Sequence, residues 1–165
     1  MFVAHDLEFG VPFAAARPRL MELIASRALA DASQVAYEEG LAHVASASRA
    51  RPAPLMRVRS LRPAHSADRV TAGLRWEAIG VPGGLFPVLD ADLTLAPAGP
   101  QAARLSLAGV YRPAFGYLDD GLDPAATGQV ADTMVRALLR AAALYLADSG
   151  AGGARGHLPR AAEAP

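Results

Sequence analysis

The sequence predicts an α+β fold in which an antiparallel sheet is paired with one long C-terminal helix. Three observations carry this prediction. A strand pattern opens the chain, four strand patterns follow one another after residue 54, and a long helical pattern occupies residues 124–148. The connections between the later strands are short, which favours antiparallel pairing. A helix of that length needs a large apolar partner, and only the sheet offers one.

The N-terminal region is predicted to hold a strand, a helix and a weaker strand. Residues 2–9 alternate apolar and acidic side chains, which is the period of a half-buried strand. Residues 13–30 have apolar side chains at helical spacing, with Pro18 tolerated if it lies in the first turn. A break is expected near residues 31–34. Residues 35–45 then alternate like a strand, with Val35, Tyr37, Leu41 and His43 on one parity.

The middle of the chain is predicted to form a meander of four strands. A loop at 46–54 is followed by strand patterns at residues 55–61, 69–81, 85–95 and 103–112. Their separators, RPAHSAD, PGG and PAGP, are rich in residues that form turns. In each of the last three strands the apolar side chains share one parity, so one face of the sheet is expected to be apolar.

The last predicted element is the helix at 124–148. Asp123 suits the N-cap and Pro124 the first helical position, while Gly150 ends the pattern. Its apolar stripe is Val130, Met134, Leu138, Ala141 and Tyr145, widened by Val135, Leu139 and Leu146, and its opposite face is Asp132, Arg136, Arg140 and Ala143. Residues 1–149 therefore form one domain and residues 150–165 a flexible tail. A sheet wrapped around one long helix is the helix-grip arrangement, with short helices after the first strand.

Composition excludes several kinds of chemistry. The 165 residues have a net charge of +0 and contain no Cys, Lys or Asn. These absences remove thiolate metal sites, Schiff-base catalysis and a P-loop lysine. A GC-rich genome explains all three, so the abundant Arg is a codon signature. A basic footprint for nucleic acid is missing, and no run of about 20 apolar residues is long enough to span a membrane. We therefore expect a soluble cytoplasmic protein without a nucleic-acid partner.

Three stretches carry a resemblance to a known family. They are LRWEAIGVPGGLFPVLDADLTLAP at 74–97, RLSLAGVYRPAFG at 104–116 and LDPAATGQVADTMVRALL at 122–139. In these stretches the chain resembles the SRPBCC or START-like superfamily, also called Bet v 1-like, which includes polyketide cyclases and lipid carriers. It looks most like the small members from high-GC actinobacteria. The resemblance covers roughly residues 1–148 and is weakest before residue 55.

The resemblance implies a cavity between the sheet and the C-terminal helix that holds a small hydrophobic or aromatic molecule. Ten side chains of apolar parity are the candidate ligand contacts: Leu74, Trp76, Leu89, Leu93, Leu105, Leu107, Tyr111, Met134, Leu138 and Tyr145. Ordinary core packing is the simpler account of each one taken alone. Trp76 is the only Trp, and it could stack on a flat ligand.

Two alternatives to a non-catalytic binding protein stay open. One is an aromatase/cyclase-like enzyme of polyketide metabolism, for which His43 with Tyr37 or Tyr111 is the best acid–base pair and Arg75 a further group. The other is a structural or interaction protein with a filled core, in which the outer face of the sheet, with Asp90, Asp92, Arg75 and Arg104, meets a partner or a second copy in a homodimer.

Metal and cofactor sites are not expected. Asp90 and Asp92 resemble a DxD motif, but in a strand both carboxylates lie on the outer face, and Arg75 and Glu77 of the neighbouring strand suggest ion pairs instead. The four histidines, His5, His43, His65 and His157, include no pair at ligand spacing. We find no nucleotide fingerprint, because the glycines at 150–156 follow a helix and not a strand.

Overall fold

The computed structural model describes residues 1–44, 56–78, 88–112 and 124–148. The strands are β1 (Phe2–Phe9), β2 (Met56–Ser60), β3 (Ala64–His65), β4 (Val70–Ala78), β5 (Val88–Gly99) and β6 (Ala102–Arg112). The helices are α1 (Phe13–Ala25), α2 (Ala28–Val44) and α3 (Pro124–Ala147). The predicted N-cap Asp123, the loop at 46–54 and the tail at 150–165 lie outside the described residues.

The six strands form one antiparallel sheet. Its order is β1-β6-β5-β4-β2, and β3 pairs with β4 beside β2. The predicted α+β helix-grip class is confirmed. The separator RPAHSAD differs from its prediction as a loop, because Ala64 and His65 in it pair with Thr71 and Val70.

One face of the sheet is apolar and buried, as strand parity predicts. Val70, Leu93, Leu95 and Leu105 are all completely buried there. The hydrophobic core lies between this inner face and the three helices. The strand predicted at 85–95 continues further than expected, since β5 extends to Gly99, and residues 79–87 of the two predicted strands and their turn lie outside the described residues.

The break between the first two helices lies earlier than the sequence predicts. Ser26 adopts an extended conformation after α1, and its hydroxyl donates to the Leu23 carbonyl at 3.1 Å. The same hydroxyl accepts from the Ala28 amide at 3.3 Å, so Ser26 ends α1 and caps α2. Asp31, which the sequence suggests as a breaker, lies in the first turn of α2, where a carboxylate favours the helix. Pro18 lies inside α1, beyond the first turn in which it is predicted.

The predicted weak strand at 35–45 is wrong, because residues 35–44 belong to α2. The buried side of this helix follows helical spacing at Leu29, Ser33, Ala36, Tyr37 and Gly40. Three of these residues, Ser33, Ala36 and Gly40, are small or polar and do not count in a pattern of large apolar residues. The large apolar residues that remain alternate as they would in a strand. Val35, which that alternation places inside, is 61% exposed.

The C-terminal helix packs mainly on α2 and then on β1. Its predicted stripe is buried at Val130, Met134 and Leu138. Ala143 differs from its prediction as an outward residue, since it is also buried, whereas Leu144 is 72% exposed. Within the described residues, no helix is long and apolar enough to cross a membrane.

Candidate functional site

The strongest candidate site lies on the inner face of the sheet, near the end where β4 and β6 finish. Strand register places Trp76 opposite Val58 on one side and Leu89 on the other, and Leu89 opposite Tyr111. Trp76, Leu89 and Tyr111 are each less than 5% exposed. Inward-facing residues in register lie side by side across strands about 4.8 Å apart, so these side chains form a continuous row. We call Trp76, Leu89 and Tyr111 the aromatic row.

Helix α2 covers the aromatic row with Tyr37. The ring centroids of Tyr37 and Trp76 are 6.3 Å apart and the ring planes are inclined at 71°, an edge-to-face contact. Tyr37 is only 1% exposed. Strand alternation predicts Tyr37 on a strand, where its expected role is that of an acid–base partner of His43, whereas the structure places it on α2. Helical spacing from Leu29 and Ser33 was the signal that could have found its true position.

The indole nitrogen of Trp76 is the one unusual polar atom in this region. Its Nε1 is buried and has no hydrogen-bond partner among the described residues. Most buried polar atoms have a partner, so an exception of this kind calls for a physical explanation. By contrast, the buried Ser33 hydroxyl donates to the Leu29 carbonyl at 2.7 Å.

Small residues lie next to the aromatic row. Two positions further along the strands, register aligns Leu74, Ala91, Gly109 and Val3. A Cβ atom built on Gly109 would lie 2.2 Å from the Asp90 carbonyl oxygen and 2.4 Å from the Ala91 Cβ. Strands β5 and β6 therefore approach closely here, and Ala91 and Gly109 contribute little side-chain volume between Leu74 and Val3.

The predicted ligand contacts are buried but do not form one small site. Tyr145 is half-buried. The other nine are buried: Leu74, Trp76, Leu89, Leu93, Leu105, Leu107, Tyr111, Met134 and Leu138. Tyr111 and Leu105 are six residues apart on β6, which corresponds to about 20 Å along a strand. The set therefore covers most of the core, and the cavity that it was expected to line stays a prediction.

The outer face carries the charges, as strand parity predicts for the DxD motif. Asp90 Oδ1 lies 3.4 Å from Arg75 Nη1, and its Oδ2 lies 2.9 Å from Arg112 Nη2. Arg75 Nε also lies 3.3 Å from Glu77 Oε2. Among the described residues no group of three or more acidic or histidine side chains could hold a metal ion. The predicted cross-strand ion pair is present between Arg75 and Asp90.

The outer face also carries the pair Arg104–Glu8 between β6 and β1. The hydrogen bond that Arg104 donates to Glu8, and the negative charge of Glu8, raise the pKa of the Arg104 guanidinium above its usual value. Phe2 and Val110 lie opposite each other on this face and are 71% and 47% exposed. The homodimer through this face stays a prediction.

The two histidines whose side chains are described, His5 and His65, lie on strands at opposite edges of the sheet. The Nε2 atom of His5 on β1 lies 3.0 Å from Oδ1 of Asp132 on α3. This contact joins the edge of the sheet to the helix. His65 is exposed on β3 and not in the predicted loop. The side chain of His43 and the whole of His157 lie outside the described part of the chain.

The described members of the predicted acid–base set lie on different faces of the sheet. Tyr37 and Tyr111 are buried on the inner side, whereas Arg75 lies on the outer face and is 48% exposed at its side chain. These groups therefore do not converge with Arg75. The pairing of His43 with either tyrosine stays a prediction.

An open groove of about 270 Å³ lies on the polar side of α3, lined by Gln129, Asp132, Thr133 and Arg136. These residues are spaced as one helix face, and the groove is separate from the aromatic row on the sheet.

No protein-family model and no curated protein matches the chain. Solved structures resemble it with low sequence identity. A conserved protein from Geobacillus kaustophilus has a TM-score of 0.52 and 10% identity, covering 89% of this chain and 95% of that chain. A hypothetical protein from Helicobacter pylori has a TM-score of 0.51 and 8% identity, covering 88% of this chain and 87% of that chain.

An aromatase/cyclase from a Streptomyces species is more distant, with a TM-score of 0.40 and 13% identity over 88% of this chain and 93% of that chain. A likeness at that score carries no argument about activity. The two nearer likenesses show the fold alone, which is the antiparallel sheet packed against a C-terminal helix.

Proposed function

We propose that the chain binds a small hydrophobic or aromatic molecule between the inner face of the sheet and the helices, next to the aromatic row. The observation that supports it is the buried Trp76 Nε1 without a described partner. The resemblance to the START-like superfamily and the shared fold support the same proposal. We infer on these grounds that the chain is a START-like protein of the type found in high-GC actinobacteria.

The energetics favour an occupant that contacts Trp76. A buried donor without a partner costs about 1–3 kcal/mol, a large fraction of the stability of a typical domain. An occupant with an acceptor near Nε1 would recover that free energy. Trp76 and Tyr37 would supply two inclined aromatic surfaces beside it.

Apolar contact would supply most of the affinity. A two-ring aromatic molecule that buries about 250 Å² gains about 6 kcal/mol at about 25 cal/mol per Å². Association costs reduce this gain, so we expect dissociation constants in the micromolar range or weaker.

The proposal is binding and not catalysis. The described side chains beside Trp76 are apolar or aromatic, and Arg75 lies on the opposite face of the sheet. The pair of His5 and Asp132 lies at the β1 edge of the sheet. His5 is three strands across the sheet and four residues along the strand from Trp76, a separation of roughly 20 Å.

Two measurements test the proposal. Native mass spectrometry of the protein purified from its own host should show a co-purifying small molecule. Calorimetric titration of the emptied protein with tetralin, a neutral two-ring hydrocarbon, should show saturable binding. A clean apo mass together with no detectable binding of tetralin or related neutral aromatics would contradict it.

A further inference from the structure

We propose that the ligand is electrically neutral and carries a hydrogen-bond acceptor, such as a carbonyl or ether oxygen, that accepts from Trp76 Nε1–H. This inference rests on the proposed function and adds the chemical class of the ligand. It makes Trp76 the residue that determines polar specificity at the site.

The first step is the direction of the hydrogen bond. An indole Nε1–H can only donate, so an occupant that satisfies it must present an acceptor. No described residue presents one, although Trp76 is 98% buried. A pure hydrocarbon bound beside Trp76 would leave the donor unpartnered.

The second step is the absence of a countercharge. Ser33 is the only polar or charged residue that is buried among the described residues, and its hydroxyl is already bonded within α2. The arginines of β4 and β6 pair with acids on the outer face. A carboxylate ligand beside Trp76 would therefore lose its hydration without gaining a described cation, which strongly disfavours an anion.

The third step is the shape of the surroundings. Tyr37 and Trp76 form an inclined pair of rings, and the neighbouring positions on β5 and β6 are Ala91 and Gly109. Large aromatic surfaces beside small residues suit a flat molecule of two or three rings whose acceptor lies at its edge.

Three matched probes test the inference by calorimetry: tetralin, 1-tetralone and 1,2,3,4-tetrahydro-1-naphthoate. They share a two-ring frame and differ in having no acceptor, a neutral carbonyl or a carboxylate. We expect the ratio of the tetralone to the tetralin association constant to fall about five- to tenfold in Trp76→Phe, because the variant keeps an aromatic wall and loses the donor. The carboxylate should bind wild type at least tenfold more weakly than tetralone. Leu144→Ser, on the exposed side of α3, should leave all three constants unchanged.

A spectroscopic measurement on the wild type keeps the test independent of whether Trp76→Phe folds. Because the chain has one Trp, its ¹H–¹⁵N spectrum contains a single indole signal. Tetralone should move the indole proton downfield, as a new hydrogen bond does, whereas tetralin should not.

The outcomes separate the two proposals. If tetralin and tetralone bind, but Trp76→Phe leaves their ratio unchanged or the indole proton does not move downfield with tetralone, binding stands and the inference about the acceptor is overturned. Preferential binding of the carboxylate would also overturn it. If none of the three probes binds, the proposed function itself fails.

Discussion

At the scale of single residues, Gly109 shows how one absent methyl group controls the distance between two strands. A Cβ there would overlap the Asp90 carbonyl oxygen at 2.2 Å and the Ala91 Cβ at 2.4 Å. Because the obstructing atoms belong to backbone and to a Cβ, no side-chain rotation relieves the contact. We expect Gly109→Ala to lower the free energy of unfolding by about 3 kcal/mol, measured by urea denaturation.

Gly10→Ala is the matched control for Gly109→Ala. A Cβ on Gly10 meets no atom of the described residues within 4 Å. The substitution also restricts the unfolded chain, so its unfolding free energy should stay the same or rise by up to about 1 kcal/mol. Equal stability of the two variants would show that β5 and β6 do not approach as closely as described.

Residue-scale prediction from the sequence succeeded where one local rule decides the answer. Alternation placed Trp76 and Tyr111 inside and Asp90 outside, because neighbouring side chains of a strand point to opposite faces. The unpartnered Nε1 of Trp76 could not be predicted in the same way. It depends on which acceptors the distant residues of α2 and β5 bring near it.

At the scale of elements, Gly40 allows α2 and α3 to pack closely. A Cβ on Gly40 would lie 2.4 Å from Met134 Cγ and 3.1 Å from the Val130 carbonyl oxygen. Alanine gains about 1 kcal/mol over glycine from helix propensity, but the overlap in a buried contact outweighs it. We expect Gly40→Ala to lower the unfolding free energy by about 2 kcal/mol in chemical denaturation.

Gly128→Ala in α3 separates helix propensity from packing. Its Cβ would meet only Met1 Sδ at 3.6 Å, an ordinary contact. This variant should therefore be more stable than wild type by up to about 1 kcal/mol. A stabilising Gly40→Ala would contradict the described contact between the helices.

Arg19 joins α1 to the end of α3. Its Nη1 donates to the Leu146 carbonyl at 2.7 Å, one of the carbonyls that the last turn of a helix leaves without a partner. We expect Arg19→Gln to cost about 1.5 kcal/mol in the same denaturation measurement, as for a hydrogen bond from a charged donor. Arg27→Gln is the control, because Arg27 forms only an exposed pair with Asp31 and should cost less than about 0.5 kcal/mol. Equal costs would show that the Leu146 contact is not formed in solution.

The sequence predicted β1, β2, β4, β5, β6 and the last helix, but not β3 or α2, and for α2 the reason is physical. The packed side of α2 uses Ser33, Ala36 and Gly40, whose small size lets α3 approach. A pattern of large apolar residues does not detect such a surface. The main partner of α3 therefore stayed hidden, and the sheet alone was expected to cover it.

At the scale of the whole molecule, the charged groups surround an apolar core. Ion pairs of exposed residues lie on the outer face of the sheet and on the solvent side of the helices, while the core lies between the inner face and the helices. Exposed pairs contribute at most about 1 kcal/mol each, so burial on the inner side dominates stability. Binding of a neutral ligand on that side should then be linked directly to the folding of the whole chain.

This linkage predicts a rise in melting temperature with ligand. A ligand that binds only the folded protein adds about 2.7 kcal/mol at 100 times its dissociation constant. For a chain of this size that corresponds to about 5–10 °C. Calorimetric melting with 1-tetralone at that ratio should show the rise in wild type and equally in Val110→Ser, which changes only the exposed outer face. Loss of the rise in Val110→Ser would place the ligand on the outer face, because a molecule held against Trp76 and Tyr37 lies on the other side of the sheet from that substitution.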